Sequence, residues 1–277
     1  MFKPVINSHM SENSLMKFNQ QETFNLNDFN IIINKSLKLL NGSSETTRAI
    51  SFYQWLAGLI EADGCFYISK KGDVSCEIIV NIREIKSLFQ IKKYFNGTIS
   101  KRSSVNAYRW RLHKKDCIIH LLNSINGYIY LKVDKFKEVL NLFNIVFKQN
   151  IFSFENAWLS GFFEGDGYVN INKNNYQISL SISQKNKDIL FLIKNIFKGN
   201  ISYDKSWKGY TWYSTSKKDL LLIFEYFTIY PLRSDKNADI ISAKRFFRYK
   251  LMNYHLDNSK FNQLNHFIDL FQERKKI

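Results

Sequence analysis

The chain has 277 residues, of which 45% are hydrophobic, and this is enough for one large domain or two of ordinary size. Its 40 lysines and arginines against 24 aspartates and glutamates give a formal net charge of +16. Because this charge is spread along the chain, it favours a folded basic surface that binds nucleic acid or, less readily, an anionic membrane. No apolar run approaches the ~20 residues of a membrane span, and three cysteines without paired spacing predict reduced thiols in an intracellular protein without a zinc site.

Residues 1–50 have no counterpart elsewhere in the chain. Within them only residues 28–40 have the pattern of a helix, for which Asp28 is the expected N-cap and Gly42 the residue after its end. The sequence GSSETT (42–47) predicts a linker, and we predict no defined structure for residues 1–25.

The rest of the chain contains one unit twice. The stretch WLAGLIEADG begins at Trp55, and WLSGFFEGDG begins at Trp158, 103 residues later. The other matched pairs are YFNGTIS (94–100) with IFKGNIS (196–202), AYRWRLHKKD (107–116) with GYTWYSTSKKD (209–219), and YLKVDK (130–135) with PLRSDK (231–236). The offset changes only from 103 to 101, which predicts one fold for both copies. We therefore expect a first domain at 51–150 and a second at 151–277, which includes an added C-terminal helix.

Each copy has the pattern of an α+β domain in the order α-β-β-α-β-β-α. The first helix is apolar until its last turn and ends at Gly64 or Gly167, and apolar residues at alternate positions from Phe66 to Ile82 indicate strands after it. The predicted helices are at 52–63, 84–95, 115–125 and 134–147 in the first copy, at 155–166, 186–198, 217–228 and 235–252 in the second, and at 259–275 after it. The second strand pairs are predicted at 98–113 and 201–215.

One face of each predicted strand pair is apolar, and the other is dense in hydrogen-bond donors with few acids. Arg, Asn and Gln can make bidentate contacts to base edges, and a two-stranded ribbon fits the major groove of DNA. An ordinary solvated sheet face is the alternative, but the net charge favours contact with DNA. The residues predicted to bind DNA are Tyr67, Ser69, Lys71, Ser75, Asn81, Arg83, Arg109, Arg111 and His113 in the first copy, and Asn170, Asn172, Gln177, Ser179, Ser181, Ser183, Thr211, Tyr213 and Thr215 in the second.

Small residues recur every four positions on the first helix of each copy. Gly58 and Ala62 share one helix face, and so do Gly161 and Gly165. Such spacing lets two helix backbones approach closely. We therefore expect these two helices to pack side by side as the interface between the copies.

Asp63 and Asp166 are the last acids of the two helices, and this packing would bring them together at a pseudo-twofold axis. Two adjacent carboxylates repel each other unless one is protonated or a cation lies between them, and Mg²⁺ prefers such oxygen ligands. Metal ions held in this way can activate a water and stabilise the leaving oxygen of a phosphodiester. The alternative is that each Asp-Gly pair only begins a turn and that Glu61 is a solvated residue of the last helical turn. The two matched copies in so basic a chain favour the metal site.

The segments LAGLIEADG (56–64) and LSGFFEGDG (159–167) resemble the two signature motifs of the LAGLIDADG homing endonucleases. The resemblance covers roughly residues 50–250 and implies a single chain with two pseudosymmetric domains. In such a protein the saddle-shaped antiparallel sheets lie on DNA, and the motif helices form the interface between the domains.

The resemblance also implies roles for individual residues. Asp63 and Asp166 are expected to be catalytic metal ligands, assisted by the carbonyl groups of Ala62 and Gly165. The earlier acid of each motif, Glu61 or Glu164, is usually not a ligand, and Glu replaces the more usual Asp there. A lysine near the end of each repeat is expected beside the scissile phosphates, and the candidates are Lys135 and Lys236, with Lys132 and Arg233 as rivals.

These observations predict a site-specific DNA endonuclease that makes a double-strand break with Mg²⁺, for which Mn²⁺ is expected to substitute, whereas Ca²⁺ should bind without supporting cleavage. The alternatives are a maturase that binds intron RNA and a DNA-binding repressor on the same scaffold, and neither of these needs the two aspartates. The abundance of residues with A/T-rich codons favours an organellar genome, and hence a mitochondrial protein encoded in a mobile intron. The expected partner is double-stranded DNA, with intron RNA as a further partner if the chain is also a maturase. No membrane contact is expected, and the enzyme is expected to be a monomer.

Overall fold

The structure is a computed structural model that describes residues 25–103 and 105–276, so that residues 1–24, most of the segment predicted to have no defined structure, lie outside the described residues. The helices are α1 (Leu26–Asn41), α2 (Glu45–Asp63), α3 (Ile85–Phe95), α4 (Lys115–Ile125), α5 (Val133–Asn141), α6 (Trp158–Asp166), α7 (Lys187–Phe197), α8 (Lys217–Ile229), α9 (Asn237–Leu251) and α10 (Asn258–Arg274). The strands are β1 (Gly64–Ile68), β2 (Val74–Asn81), β3 (Thr98–Lys101), β4 (Ala107–Leu112), β5 (Gly167–Asn172), β6 (Gln177–Gln184), β7 (Asn200–Asp204) and β8 (Gly209–Ser214).

These strands form two antiparallel sheets of four strands with the same topology. The order is β1-β2-β4-β3 in one sheet and β5-β6-β8-β7 in the other, and each sheet follows directly from a motif helix, α2 or α6. This confirms the predicted α+β fold and its repeated order of elements. No helix in the described part of the chain is long and apolar enough to cross a membrane.

The alternation of side chains along the strands places one face of each sheet in the core. Cys76 and Ile78 of β2 are fully buried, and Ile78 lies opposite the buried Trp110 of β4. In the second sheet Ile182 lies opposite the buried Trp212 in the same way. The opposite face of each sheet carries the polar residues, so the two sheets present two matched outer faces.

The connection from the second helix to the third strand is the same in both halves. The indole of Trp110 donates to the carbonyl group of the residue before Gly97 at 2.8 Å, and Trp212 does so before Gly199 at 2.7 Å. Both glycines have positive φ angles, 88° and 81°, and an added Cβ would lie 2.6 or 2.9 Å from the indole nitrogen. Only glycine fits at these turns, which explains why NG and KG recur at the same place.

Helix α1 begins two residues before the predicted start. Asn25, and not Asp28, is the N-cap, because the Asn25 side chain accepts from the N–H groups of Asn27 at 2.8 Å and Asp28 at 3.2 Å. The Asp28 carboxylate accepts in return from the N–H of Asn25 at 2.9 Å. Phe29 is buried, and its ring lies 5.5 Å from that of Phe247, so α1 is packed on the second half of the chain.

The prediction of a linker over residues 42–47 is wrong at its C-terminal end. The Ser44 hydroxyl accepts from the N–H of Thr47 at 3.1 Å and caps α2, which therefore begins at Glu45 instead of residue 52. Helix α6 begins at Trp158 instead of residue 155, and α5 ends at Asn141 instead of continuing to 147. The first motif helix therefore has 19 residues, whereas its counterpart has 9.

Candidate active site

The motif helices α2 and α6 pack against each other with their backbones in contact. A Cβ added to Gly58 would lie 2.0 Å from the carbonyl oxygen of Trp158, and one added to Gly161 would lie 1.7 Å from that of Trp55. Each glycine therefore faces the backbone of the opposite helix, where no larger residue fits. Further along, a Cβ on Gly165 would lie 2.5 Å from the Cβ of Ala62, so the close approach continues to the C-terminal ends of both helices.

The earlier acid of each motif is buried at this helix contact. Glu61 is 1% exposed and Glu164 is fully buried. The indole of Trp158 donates to Glu61 at 3.0 Å, and that of Trp55 donates to Glu164 at 3.2 Å, so each half supplies a donor to the acid of the other. The alternative in which Glu61 is a solvated residue of the last turn is therefore wrong.

Each buried acid also holds a loop of its own half, the one before α5 in the first half and the one before α9 in the second. Glu61 accepts from the N–H groups of residues 130–132 at distances between 2.5 and 3.0 Å. Glu164 accepts from the N–H groups of Arg233 at 2.8 Å and Ser234 at 3.1 Å. Burial raises the pKa of both carboxyl groups, and these hydrogen bonds act in the opposite direction. The acids thus fix the loops before α5 and α9.

Each of these loops ends in a lysine that reaches back to the motif helix. The ammonium group of Lys132 donates to the carbonyl groups of Ile60 at 2.9 Å and Gly64 at 2.6 Å. The ammonium group of Lys236 donates to the carbonyl group of Gly165 at 3.1 Å and forms an ion pair with Glu84 at 3.3 Å. Positive charge at a helix C-terminus is favourable, so each lysine is held beside the last turn of its motif helix.

The structure places Lys132, and not Lys135, beside the first motif helix. Lys135 is a partly exposed residue of α5 whose ammonium group pairs with Glu138 at 2.8 Å on the same helix, so the contacts favour the rival Lys132 over the predicted Lys135. Lys132 and Lys236 are equivalent because each is the residue immediately before a helix, whereas the alignment of YLKVDK with PLRSDK pairs Lys135 with Lys236. The rival Arg233 has its guanidinium group 5.1 Å from the ring centre of Phe52 and donates to the side-chain oxygen of Gln90 at 3.3 Å.

Asp63 and Asp166 are half-buried at the adjoining C-terminal ends of α2 and α6. Burial raises the pKa of Asp63 to about 7, and the charges of Asp166 and Glu84 contribute. Lys236 and Lys132 act in the opposite direction on the pKa of Asp63. The two aspartates and two lysines are therefore close enough to form one electrostatic unit that contains residues of both halves.

Asp166 has a partner that Asp63 lacks. The side-chain amide of Gln184, the last residue of β6, donates to the Asp166 carboxylate, and this hydrogen bond opposes the effect of burial, which raises the pKa of Asp166. In the first sheet the equivalent register position is Val80, which is apolar and buried. Sequence reasoning missed Gln184, although a polar residue at an inward position of an alternating strand is a recognisable signal.

The chemistry of these donors fits a hard divalent cation. Among residues 25–103 and 105–276 no three His, Cys, Asp or Glu side chains converge on one point. The expected donors are the carboxylates of Asp63 and Asp166 and the carbonyl groups of Ala62 and Gly165, all of them oxygens. Each of these carbonyl groups also accepts from an ammonium group, that of Lys132 at 3.4 Å or that of Lys236 at 3.1 Å. Such a set suits Mg²⁺, which keeps several waters and binds through few carboxylates together with substrate phosphates.

The outer face of the first sheet is basic and contains one acid. Tyr67 is 66% exposed, and His113 is exposed just beyond β4. Arg109 and Arg111 both pair with Glu77, at 3.5 and 3.1 Å. Both guanidinium groups belong to β4 and are held over the outer face by one carboxylate of the neighbouring strand β2.

Several residues predicted on this face lie elsewhere. The chain leaves β2 in a 3₁₀ turn over Ile82–Glu84, so Arg83 points away from the sheet and pairs with Asp239 at 3.6 Å, and Ile82 is exposed instead of inward-facing. Ser75 lies opposite Tyr67 on the outer face but is only 7% exposed. Asn81 ends β2, where its side chain caps the 3₁₀ turn. The turn between β1 and β2 contains Ser69 and Lys71.

The outer face of the second sheet carries amides and hydroxyl groups. The paired residues are Asn170 with Ser179, Asn172 with Gln177, Ser181 with Tyr213, and Ser183 with Thr211. The hydroxyl groups of Ser183 and Thr211 are hydrogen-bonded at 2.8 Å, and Thr215 follows β8. The sequence analysis missed Tyr168, which is 54% exposed on this face opposite Ser181.

Comparison with known proteins identifies the family to which this sequence is related. The model of the LAGLIDADG endonuclease family matches residues 56–146 and 159–247. The "Intron-encoded RNA maturase bI4" of Saccharomyces cerevisiae is 36% identical over 253 residues, which are 88% of this chain and 39% of that protein. The "Probable intron-encoded endonuclease aI2" of Debaryomyces hansenii is 31% identical over 242 residues, which are 79% of this chain and 37% of that protein. This chain therefore spans less than two fifths of the length of either relative.

Among solved structures, the crystal structure of the I-LtrWI LAGLIDADG homing endonuclease bound to target DNA has a TM-score of 0.62 and 17% identity, and the match covers 79% of this chain and 97% of that one. At this identity the likeness shows a shared fold. The family match covers both copies of the repeated unit, including the motif segments at the C-terminal ends of α2 and α6. The chain belongs to the LAGLIDADG endonuclease family.

Proposed function

We propose that this chain is a site-specific DNA endonuclease that makes a double-strand break by metal-dependent hydrolysis of phosphodiesters and promotes intron homing. The observation that carries this proposal is the junction of α2 and α6, where Asp63 and Asp166 adjoin and one lysine from each half lies beside them. A structural role alone does not require two half-buried carboxylates with raised pKa values at a contact between two halves.

The residues at this junction have complementary roles in the proposed reaction. Asp63 and Asp166 would hold Mg²⁺ together with the carbonyl groups of Ala62 and Gly165. When bound, the metal activates a water and stabilises the leaving oxygen. Lys132 and Lys236 place an ammonium group at each helix end, where it neutralises charge on the phosphate. Gln184 orients the Asp166 carboxylate through its amide.

The outer faces of the sheets are the proposed DNA-binding surface. A first domain at 51–150 would contact one half of the target through Arg109, Arg111 and their neighbours, and a second at 151–277 would contact the other half through amides and hydroxyl groups. The different composition of the two faces supports an asymmetric target. Because one chain contains both motifs, it would act as a monomer, and the intron-encoded relatives together with the A/T-rich codon bias support a mitochondrial location.

The test is cleavage of a supercoiled plasmid that contains the joined exons of the host gene. The parent chain should linearise it with Mg²⁺ or Mn²⁺ and bind it without cleavage in Ca²⁺. Asp63→Asn and Asp166→Asn should each abolish linearisation while they retain DNA binding, because they remove a metal ligand and leave the sheets intact. Linearisation by either variant at the parental rate would contradict the proposal.

A second candidate function, binding of intron RNA as a maturase, is favoured by a cleft whose lining includes neither Asp63 nor Asp166. The cleft has a volume of about 1520 Å³ and is lined by residues of α1, α3, α8 and the N-terminal part of α2. Lys35, Arg48 and Lys86 line it together with Tyr94, which is 48% exposed. Positive charge beside aromatic rings suits single-stranded RNA. The 36% identity to a named RNA maturase supports the same candidate.

Filter binding with the host intron RNA would test this second function. Arg48→Ala combined with Lys35→Ala should weaken RNA binding at least tenfold and leave DNA cleavage unchanged, because neither residue lies on a sheet face or in the loop that ends in Lys236. Equal RNA binding by the parent and the double variant would exclude this cleft as an RNA site.

A further inference from the structure

Helix α10 lies outside the residues that match the family model and packs along the free edge of β5. The helix runs antiparallel to the strand. The hydroxyl group of Tyr176 donates a hydrogen bond to the Asn265 side chain at 3.0 Å, and Lys173 forms an ion pair with Asp269 at 2.6 Å. Further along, the side-chain amide of Gln272 donates to the carbonyl group of Ile171 at 3.4 Å. The next contact is a hydrogen bond from the ammonium group of Lys275 to the carbonyl group of Val169. The added helix therefore covers an exposed strand edge and satisfies two of its carbonyl groups.

This packing brings Lys275 to the first residues of β5, which follow Asp166 in the chain. Its ammonium group lies 3.6 Å from the ring centre of Tyr168, which is exposed on the outer face two residues after Asp166. Lys275 is thus delivered by the C-terminal end of α10 to the start of β5, at the rim of the proposed DNA-binding surface.

A cavity of about 330 Å³ opens beside Lys275. The side chains that line it are Asn81, Arg83, Glu84, Lys236, Lys275 and Lys276. It contains residues of both halves, and one of them is the lysine that contacts the end of α6. The cavity therefore adjoins the active site on the side of Asp166.

The walls of this cavity have more positive than negative charge. Asp239 is 3% exposed and is shared by Arg83 at 3.6 Å, Arg274 at 2.6 Å and Lys275 at 4.0 Å. Glu84 pairs with Lys236, so the lining of the cavity has four positive side chains, including Lys276, and one carboxylate. Burial lowers the pKa of Lys275 to about 8, Asp239 opposes this, and the neighbouring positive charges contribute to it. The cluster lacks counter-charge and would gain it from an anion.

We propose that this cluster, centred on Lys275, binds a backbone phosphate of the DNA adjacent to the phosphate that is cleaved beside Asp166. The inference rests on the proposed function and extends it to a residue that the family model does not match. Since the first half ends without a counterpart of α10, the contact is made to one side of the target only. Its effect should therefore fall unequally on the two strands.

The test uses Lys275→Met, which keeps the length of the side chain and removes its charge. Binding of the full chain to a short fluorescent duplex without a target site is measured by anisotropy near pH 7 as salt increases. Each phosphate contact contributes about 0.9 to the slope of log affinity against log salt, so Lys275→Met should reduce the magnitude of the slope by about this amount. Lys275→Arg should restore the parental slope.

Lys260→Met is the matched control. Lys260 lies on the same helix, pairs with Asp257 at 3.1 Å and has the ring of Tyr254 5.1 Å from its ammonium group, but it lies at the opposite end of α10. Its removal should leave the slope unchanged. A parental slope in Lys275→Met, with or without a lower Tm, would overturn the inference and leave Lys275 with only the role of holding α10 on β5.

Plasmid cleavage separates this inference from the function on which it rests. If the parent chain linearises its target, Lys275→Met should accumulate nicked circles, because the contact favours one strand. If the parent cleaves no DNA but the salt slope falls in Lys275→Met alone, the proposed endonuclease function fails and the phosphate site stands. If cleavage by Lys275→Met shows no nicked intermediate and its slope is parental, the phosphate site fails and the endonuclease function stands.

Discussion

The indole of Trp158 donates a hydrogen bond to the carboxylate of Glu61 in the opposite motif helix, at 3.0 Å. The reciprocal bond joins Trp55 to Glu164 at 3.2 Å. Because each glutamate also holds the loop that ends in the lysine of its own half, the contact between the halves and the positions of both lysines depend on the same two acids. A motif acid that is not an expected metal ligand is thereby essential to the geometry of the site.

Glu61→Gln should lower both stability and cleavage. The Glu61 carboxylate accepts only from N–H groups, three of the backbone at 130–132 and one of Trp158, and an amide in its place would direct its own N–H groups at some of these donors. A buried donor left without a partner costs about 1–3 kcal/mol. We expect a lower Tm and at least tenfold slower cleavage with DNA binding retained. Trp158→Phe, which removes one donor only, is the milder control, and a Glu61→Gln chain that melts and cleaves like the parent would disprove the role.

Lys132→Met should slow cleavage by about 10²-fold or more, a typical effect of removing one group that stabilises charge in the transition state. Lys135→Met should leave the rate unchanged, because the ammonium group of Lys135 pairs with Glu138 on its own helix. The rates of nicking and linearisation of the target plasmid measure both effects in one assay. The reverse result, with Lys135 essential and Lys132 dispensable, would show that the loop before α5 moves when DNA binds.

The sequence predicted the features of this fold that depend on local pattern. Alternating apolar residues identified the strands, and the small residues at Gly58, Ala62, Gly161 and Gly165 indicated a close helix pair whose ends carry the two aspartates. The repetition at a fixed offset then identified two halves of one fold. The strands and the helix pair are visible because their patterns are contained within one helix turn or a few strand residues, and the repeat is visible because these local patterns recur.

Features that depend on contacts between distant segments could not be found in this way. Whether Lys132 or Lys135 reaches the site is decided by where the loop ends, and this is set by hydrogen bonds to Glu61, about seventy residues away. The contact between Gln184 and Asp166 depends on the register of β5 with β6, and the position of Lys275 depends on the docking of α10. At Ser44 the local capping signal was present but was outweighed by a composition typical of linkers.

Gly161→Ala should destabilise the chain and slow cleavage further than stability alone explains. Its Cβ would lie 1.7 Å from the carbonyl oxygen of Trp55, so the helix backbones must separate. Overpacking of this kind typically costs about 1–3 kcal/mol, and a displacement of ~1 Å at the aspartates can reduce the rate on the order of 10²-fold. Thermal melting and cleavage rates measure the two effects. The control is Gly42→Ala at the exposed end of α1, where the added Cβ would lie 3.3 Å from the nearest atom. Equal melting temperatures and cleavage rates in the two variants would disprove the close helix contact.

Asp63→Asn should stabilise the metal-free protein increasingly as pH rises. Folding raises the pKa of Asp63 from 3.8 to about 7, so the folded state favours the protonated carboxyl group. The stability that this group contributes is therefore fully present below pH 3.8 and is lost as pH rises through about 7, where the buried carboxylate must become charged. Asparagine is neutral throughout. Each unit of pKa shift corresponds to about 1.4 kcal/mol, so the largest difference should be of the order of a few kcal/mol.

Thermal melting in a chelator between pH 5 and 8 measures this difference, which should grow with pH and level off above about 7. Added Mg²⁺ should reverse the order at the upper end of this range, since a ligand that binds only the folded state stabilises it and Asp63→Asn lacks one carboxylate for the metal. Asp134→Asn, which removes an exposed acid from the first turn of α5, controls for the loss of one negative charge. If the stability difference between Asp63→Asn and the parent stays constant or shrinks as pH rises, Asp63 is charged and well solvated in the metal-free protein. The close approach of Asp63 to Asp166, on which the proposed metal site depends, would then be absent.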